Sequence, residues 1–110
     1  MNGAADSEDA GERLYAATIA HAQSRGFRLG DGADQHFRER SDDAARQLAG
    51  AANDEGFDLA IANARALIDA MIAARPAAYA DDPDRLASNI IGEVTLGEAL
   101  ARLCPIWPFC

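Results

Sequence analysis

Alanine occupies 26 of the 110 positions, more than Leu, Ile, Val and Phe together, which number 21. That ratio limits the fold more than any other feature. Ala is the best helix former, yet it removes little apolar area from water. The large side chains alone fall short of the entropy lost on ordering the chain. The body is therefore expected to be helical, marginally stable and firmed up by a partner.

Charge narrows the partners. All ten basic residues are Arg, against 18 acidic residues, for a net charge of -8. Such a surface repels nucleic acid and anionic membrane. No apolar stretch approaches the ~20 residues that span a bilayer. Met1 to Asp9 is acidic and lacks the apolar run of a secretory signal. The expectation is a cytoplasmic chain, bound neither to nucleic acid nor to membrane.

The apolar spacing predicts an all-α fold: a small bundle of three main helices plus one or two short ones, with an extended tail. Residues 1–6 are small and polar and are expected to be disordered; residues 7–103 form the helical body. Ser7 caps the first helix, Leu14, Ala17, Thr18 and Ala22 give its stripe, and Gly26 stops it. Phe27 to Gly32 is expected as loop. A second helix runs from near Asp34 to Gly50 or Ala52, with Phe37, Ala44, Ala45, Leu48 and Ala52 inward. The third, Phe57 to Arg75, puts Phe57, Ile61, Ala64, Ile68, Met71 and Ile72 on one face and ends before Pro76. Asp82-Pro83 opens a short helix carrying Leu86 and Ile90. Thr95-Leu96-Gly97-Glu98 matches a capping box and opens a last helix bearing Leu96, Ala99, Leu100 and Leu103. Ile90 to Leu96 is the one stretch suited to joining a partner's sheet edge. The pattern Ala-x-x-x-Gly-Phe-x-Leu occurs at Ala22–Leu29 and again at Ala52–Leu59; it reads as a glycine between helices followed by an apolar anchor.

No catalytic set emerges. His21 and His36 lie on predicted helices without the spacing of a metalloprotease motif, and Asp34, His36 and Glu39 do not make a metal site. Gly30-x-Gly32 lacks the strand-to-helix context of a phosphate loop. Asp42-Asp43 and Asp81-Asp82 read as a solvated face and a helix start. No catalytic residue, metal or cofactor is expected.

The closing heptapeptide is different in kind. Cys104-Pro105-Ile106-Trp107-Pro108-Phe109-Cys110 holds both cysteines, the only Trp and two of the four prolines. Proline fixes its own φ and extends the residue before it, so the segment is a stiff strip. A disulfide between the two cysteines would close a seven-residue ring, which staples nothing outside the segment. Exposed Ile, Trp and Phe on an acidic protein cost solubility unless covered or altered. Four explanations stand side by side. The strip is a substrate whose thiolates are modified by oxidation, heterocyclisation or cross-linking. Or Trp107 and Phe109 anchor it in a partner's pocket. Or the two thiolates bind a soft metal such as Cu(I) or Zn, in a spacing that is not a standard zinc one. Or Trp107 and Phe109 fold back on the helices as ordinary core.

This layout resembles the precursors of ribosomally synthesised and post-translationally modified peptides, in which a long acidic or helical leader precedes a short core rich in Cys and aromatic residues. The bulky leader is similar to the nitrile-hydratase-like or Nif11-like leader classes. The arrangement departs from many such leaders in having single glycines, Gly92 and Gly97, rather than a double glycine near the junction. The resemblance implies that residues 104–110 are the core and that other enzymes are the partners. Cys104 and Cys110, then Trp107, are the expected modification sites; Leu96, Leu100, Leu103, Ile90, Ile91 and Val94 are the expected recognition residues. The modified peptide would be open to export. The alternative is a small helical binding subunit whose Trp/Phe tail docks in a partner.

Overall fold

The computed structural model describes residues 3–51, 54–75, 90–103 and 109. Its elements are α1 (Gly3–Ser24), β1 (Arg28–Leu29), α2 (Asp31–Ala51), α3 (Asp54–Ala74), β2 (Ile90–Ile91) and α4 (Glu93–Leu103). The fold is all-α, as the apolar spacing implies.

α1 buries Gly11, Leu14, Thr18 and Ala22, a narrow stripe of mostly small residues. Small residues let backbones approach. A Cβ on Gly11 would sit 2.6 Å from Asp42 Oδ1 and 3.6 Å from Ala45 Cβ, so α2 passes close at this point. The Thr18 hydroxyl is satisfied locally by donating to the Leu14 carbonyl at 2.9 Å. Helix α1 ends where Gly26 takes φ +82°, with Gly26 N–H donating to Gln23 O and Phe27 N–H to Ala22 O, both at 2.9 Å. These are the two bonds of a Schellman cap, which an L side chain at Gly26 would strain.

α1 and α2 run antiparallel, while α1 and α3 run parallel. Arg13 lies over Phe57 at the start of α3, 4.9 Å from the ring centroid. At the other end His21 Nε2 donates to Asp69 at 2.8 Å, and Arg25 reaches the same carboxylate. Arg75 closes that end, donating to the Ile72 carbonyl at 2.7 Å with its guanidinium over Phe27. α3 supplies the largest share of the interior through Ala60, Ala64, Leu67, Ile68, Met71 and Ile72. α4 packs on α3 and, less extensively, on α2 through Thr95, Leu96 and Ala99.

Several boundaries differ from expectation. Helix α1 is already formed at Gly3, so residues 3–6 are helical rather than disordered; Ala4 and Ala5 favour helix and Asp6 suits an N-terminal turn. The expected loop after Gly26 contains β1, and the strand-suited stretch at Ile90 pairs within this chain. β1 and β2 are parallel, with Arg28 opposite Ile90 and Leu29 opposite Ile91, and Gly30 N–H donates to Ile91 O at 2.7 Å. Alternation then turns Ile91 inward and leaves Ile90 45% exposed. α4 starts at Glu93, two residues before the expected cap. Thr95 instead takes the third helical position and reaches back: its hydroxyl donates to Gly92 O at 2.8 Å and accepts from Gly92 N–H at 3.2 Å. It plays the role that Glu or Gln has in a capping box. The repeated Ala-x-x-x-Gly-Phe-x-Leu pattern is not a structural repeat, since Gly26 ends a helix and Gly56 lies in the opening turns of α3. The short helix expected after Asp82 lies outside the described residues, apart from Ile90, which is strand.

Ser41 is wholly buried on α2, and its Oγ has no hydrogen-bond partner among the described residues. A buried hydroxyl without a partner keeps its desolvation cost. Ser41→Ala should therefore stabilise the protein by about 1 kcal/mol, whereas Thr18→Val should not, because Thr18 is bonded. Urea titration of the two variants measures the contrast.

Candidate functional site

The site proposed by the sequence is residues 104–110, and of these the structure describes Phe109. Cys104, Trp107 and Cys110 lie outside the described residues. Phe109 is fully buried. The expected free-standing strip is thus not what position 109 shows: its ring belongs to the same apolar cluster as Leu14, Phe37 and Ile68. The physical reason is the one that made the segment anomalous. A large ring on an Ala-rich chain gains more by filling the interior than by facing water.

Two neighbouring residues of α2 receive it. The Phe37 and Phe109 ring centroids are 5.5 Å apart with planes tilted by 43°. That separation falls in the favourable range for offset aromatic pairs. His36 Nε2 lies 3.2 Å from the Phe109 carbonyl oxygen. A carbonyl only accepts, so Nε2 carries the proton in this contact. The imidazole also stands edge-on to Phe37, with centroids 5.7 Å apart and planes at 88°. His36 and Phe37 are adjacent in sequence but point to different parts of position 109, one to its backbone and one to its ring.

The residues around His36 are engaged elsewhere. Asp34 accepts hydrogen bonds from the Tyr15 hydroxyl and, at 2.9 Å, from Arg38 Nε. Arg38 also covers the Tyr15 ring at 4.2 Å. Glu39 accepts from Gln35 at 3.1 Å. The Asp34, His36 and Glu39 carboxylates and imidazole therefore face three different partners. Burial, then the hydrogen bond to Asp34 and its negative charge, pushes the Tyr15 hydroxyl up to about 12. For Asp34, burial acts to raise the carboxyl, but the hydrogen bonds from Tyr15 and Arg38 outweigh it and lower it. This group clamps α1 to α2 two residues ahead of the Phe109 seat.

The six expected recognition residues divide by exposure. Ile91 and Leu96 are interior, 1% and 7% exposed, and recognition through them would require opening the body. Both are drawn in by the β1–β2 pair and by the face of α4 that meets α3. Leu100 and Leu103 are half-buried against the core. Ile90 and Val94 are presented to solvent, Val94 at 75%. Sequence reasoning placed Phe37 correctly on an inward stripe but gave His36 no role. The only signal for the pairing was the apolar character of the closing segment, which asks for cover without saying where.

Phe109→Ala should destabilise the whole body by about 3 kcal/mol, the cost of emptying a buried aromatic site; a melting temperature equal to wild type would mean that the ring is not part of the core. Tyr15 gives a second test. With a folded-state value of about 12 against 10.0 for a free tyrosine, its contribution to stability is complete below about pH 10 and is lost as pH rises towards 12. With Tyr79, the one other tyrosine of the sequence, replaced by Phe, the phenolate absorbance should titrate near 12, and Asp34→Asn should bring it down. Compared with models of protein families, with curated proteins and with solved structures, the chain matches none.

Proposed function

We propose that this chain is the precursor of a ribosomally synthesised, post-translationally modified peptide, with the helical body as leader and residues 104–110 as the core. The observation that carries the reading is one of placement. Both cysteines and the only Trp fall within seven residues that begin directly after Leu103, the last residue of α4. A thiolate is the most nucleophilic group a peptide offers, and two of them beside an indole, between prolines, concentrate modifiable chemistry in one short strip. The helical body supplies the surface by which an enzyme would hold its substrate, with Ile90 and Val94 the most accessible of the proposed contacts.

Burial of Phe109 changes how such a substrate is presented. Phe109 is seated on α2, and an enzyme that needs an extended substrate must first draw position 109 out. The same burial counts against the docking alternative. A tail that anchors in a partner through Trp107 and Phe109 would have to give up an aromatic contact it already makes within its own chain. No set of side chains here is proposed to catalyse a reaction; the partners are the enzymes that act on the segment, in the cytoplasm.

Co-expression with the enzymes encoded beside this gene tests the reading. Intact-mass and fragment analysis should find a discrete mass change confined to residues 104–110, abolished when Cys104 and Cys110 are both replaced by Ala. An unchanged mass with every neighbouring enzyme overturns it.

A further inference from the structure

We propose that β2 and α4, residues 90–103, form a strap that opens as one unit when Phe109 leaves its place on α2, and that the opening uncovers Ile91 and Leu96 beside the already exposed Ile90 and Val94. The use of this device rests on the precursor reading; the device itself is a property of the chain alone.

The strap is fastened at both ends and lightly held between them. At its start, β2 pairs with β1 through two residues, and Gly30 N–H donates to Ile91 O at 2.7 Å. The Glu93 side chain lies against Gly32 in the first turn of α2, so closely that a Cβ there would overlap it. Past its other end, six positions after Leu103, the Phe109 ring pairs with Phe37 and the Phe109 carbonyl accepts from His36 at 3.2 Å. In between, α4 buries Thr95, Leu96 and Ala99, of which Leu96 alone is a large apolar side chain. Among the described residues, none of the ion pairs involves α4. An 11-residue helix is too short to hold its form unless its face is covered. The helices α1, α2 and α3 are about twice as long and are braced by the Tyr15–Asp34–Arg38 group and by Asp69 with His21 and Arg25.

Phe109, Ile91 and Leu96 belong to one apolar cluster. Withdrawing Phe109 therefore removes packing from that cluster and unfastens the far end of α4 in a single step. The least braced element then opens before the rest, as local unfolding units do. Ile91 and Leu96 are the two expected recognition residues that the closed body hides, at 1% and 7% exposure. An enzyme that draws Phe109 out gains both as contacts, so that taking the segment and recognising the body become one event.

Native-state hydrogen exchange on the full chain under reducing conditions, read by mass spectrometry of fragments over a series of low guanidinium concentrations, tests the strap. In wild type, amides of residues 93–103 should exchange through an opening about tenfold or more favourable than that of the slowest α3 amides, and less dependent on guanidinium, as expected for a small unit. Phe109→Ala should raise the opening constant of residues 93–103 about a hundredfold, in keeping with the aromatic site it empties. Phe109→Leu, which leaves a smaller apolar side chain in place, should shift the same amides less, and it decides the matter should the Ala variant fail to fold. Two results overturn the proposal. One is exchange of residues 93–103 with the same opening constant and guanidinium dependence as α3, which would make α4 part of the global unit. The other is an opening of residues 93–103 that neither substitution alters, which would mean that α4 moves with Phe109 still in place. The measurement needs no biosynthetic enzyme. A coupled strap with no mass change on co-expression would keep this proposal and discard the precursor reading; a mass change with an uncoupled strap would do the reverse.

Discussion

Close approach of helix backbones is the condition on which this interior depends. Where side chains are small, dispersion contacts form only if the main chains themselves come near. Gly11 on α1 faces Asp42 and Ala45 on α2, and Ala60 and Ala64 on α3 are fully buried. The few large residues then act between elements. Phe37 belongs to α2 but contacts Phe109, and Phe27 and Phe57 each lie under an Arg from another part of the chain. The Tyr15, Asp34 and Arg38 group does with charge and hydrogen bonds what a larger core would do with area.

How much of this was legible follows from the range of each interaction. The helices were readable because their stripes are local: Leu14, Thr18 and Ala22, or Ile68, Met71 and Ile72, recur at one helical face and are buried together. The stop at Gly26 was readable for the same reason, since only a residue tolerant of positive φ fits there. The starts of α1 and α4 were misplaced because capping residues compete: Ser7 and Thr95 both look like N-caps, yet the helices begin upstream, and Thr95 serves from inside the first turn. The β1–β2 pair was hidden because two residues carry no periodicity, and their partners lie about sixty positions apart. Leu67, fully buried, adds to the face of Ala64 and Ile68, one residue more than the expected stripe.

The proposed site was legible in its chemistry and illegible in its position. Composition alone singled out residues 104–110. It could not say that Phe109 would return to α2, because that contact spans more than seventy residues and depends on the shape of the packed helices. The consequence for function is a division of labour inside a short strip. Its aromatic end is structural, filling a body that is short of large side chains, while its cysteines are proposed as chemical. On the precursor reading proposed above, Phe109 would have to leave the core, at a cost in stability, before an enzyme could take the strip.

The parallel course of α1 and α3 has an electrical consequence. Two helices pointing the same way add their macrodipoles, placing partial negative charge from both at one pole. At that pole stand Arg25 and Arg75, the second donating directly to a terminal carbonyl of α3. Cations drawn from a chain with a strong acidic excess are thus gathered where the backbone is most negative. Dissolved salt then has opposing effects on the same molecule. It screens the mutual repulsion of the surplus acids and also screens the attraction between these cations and the helix ends. The response of this fold to ionic strength should accordingly be shallower than its net charge alone would suggest.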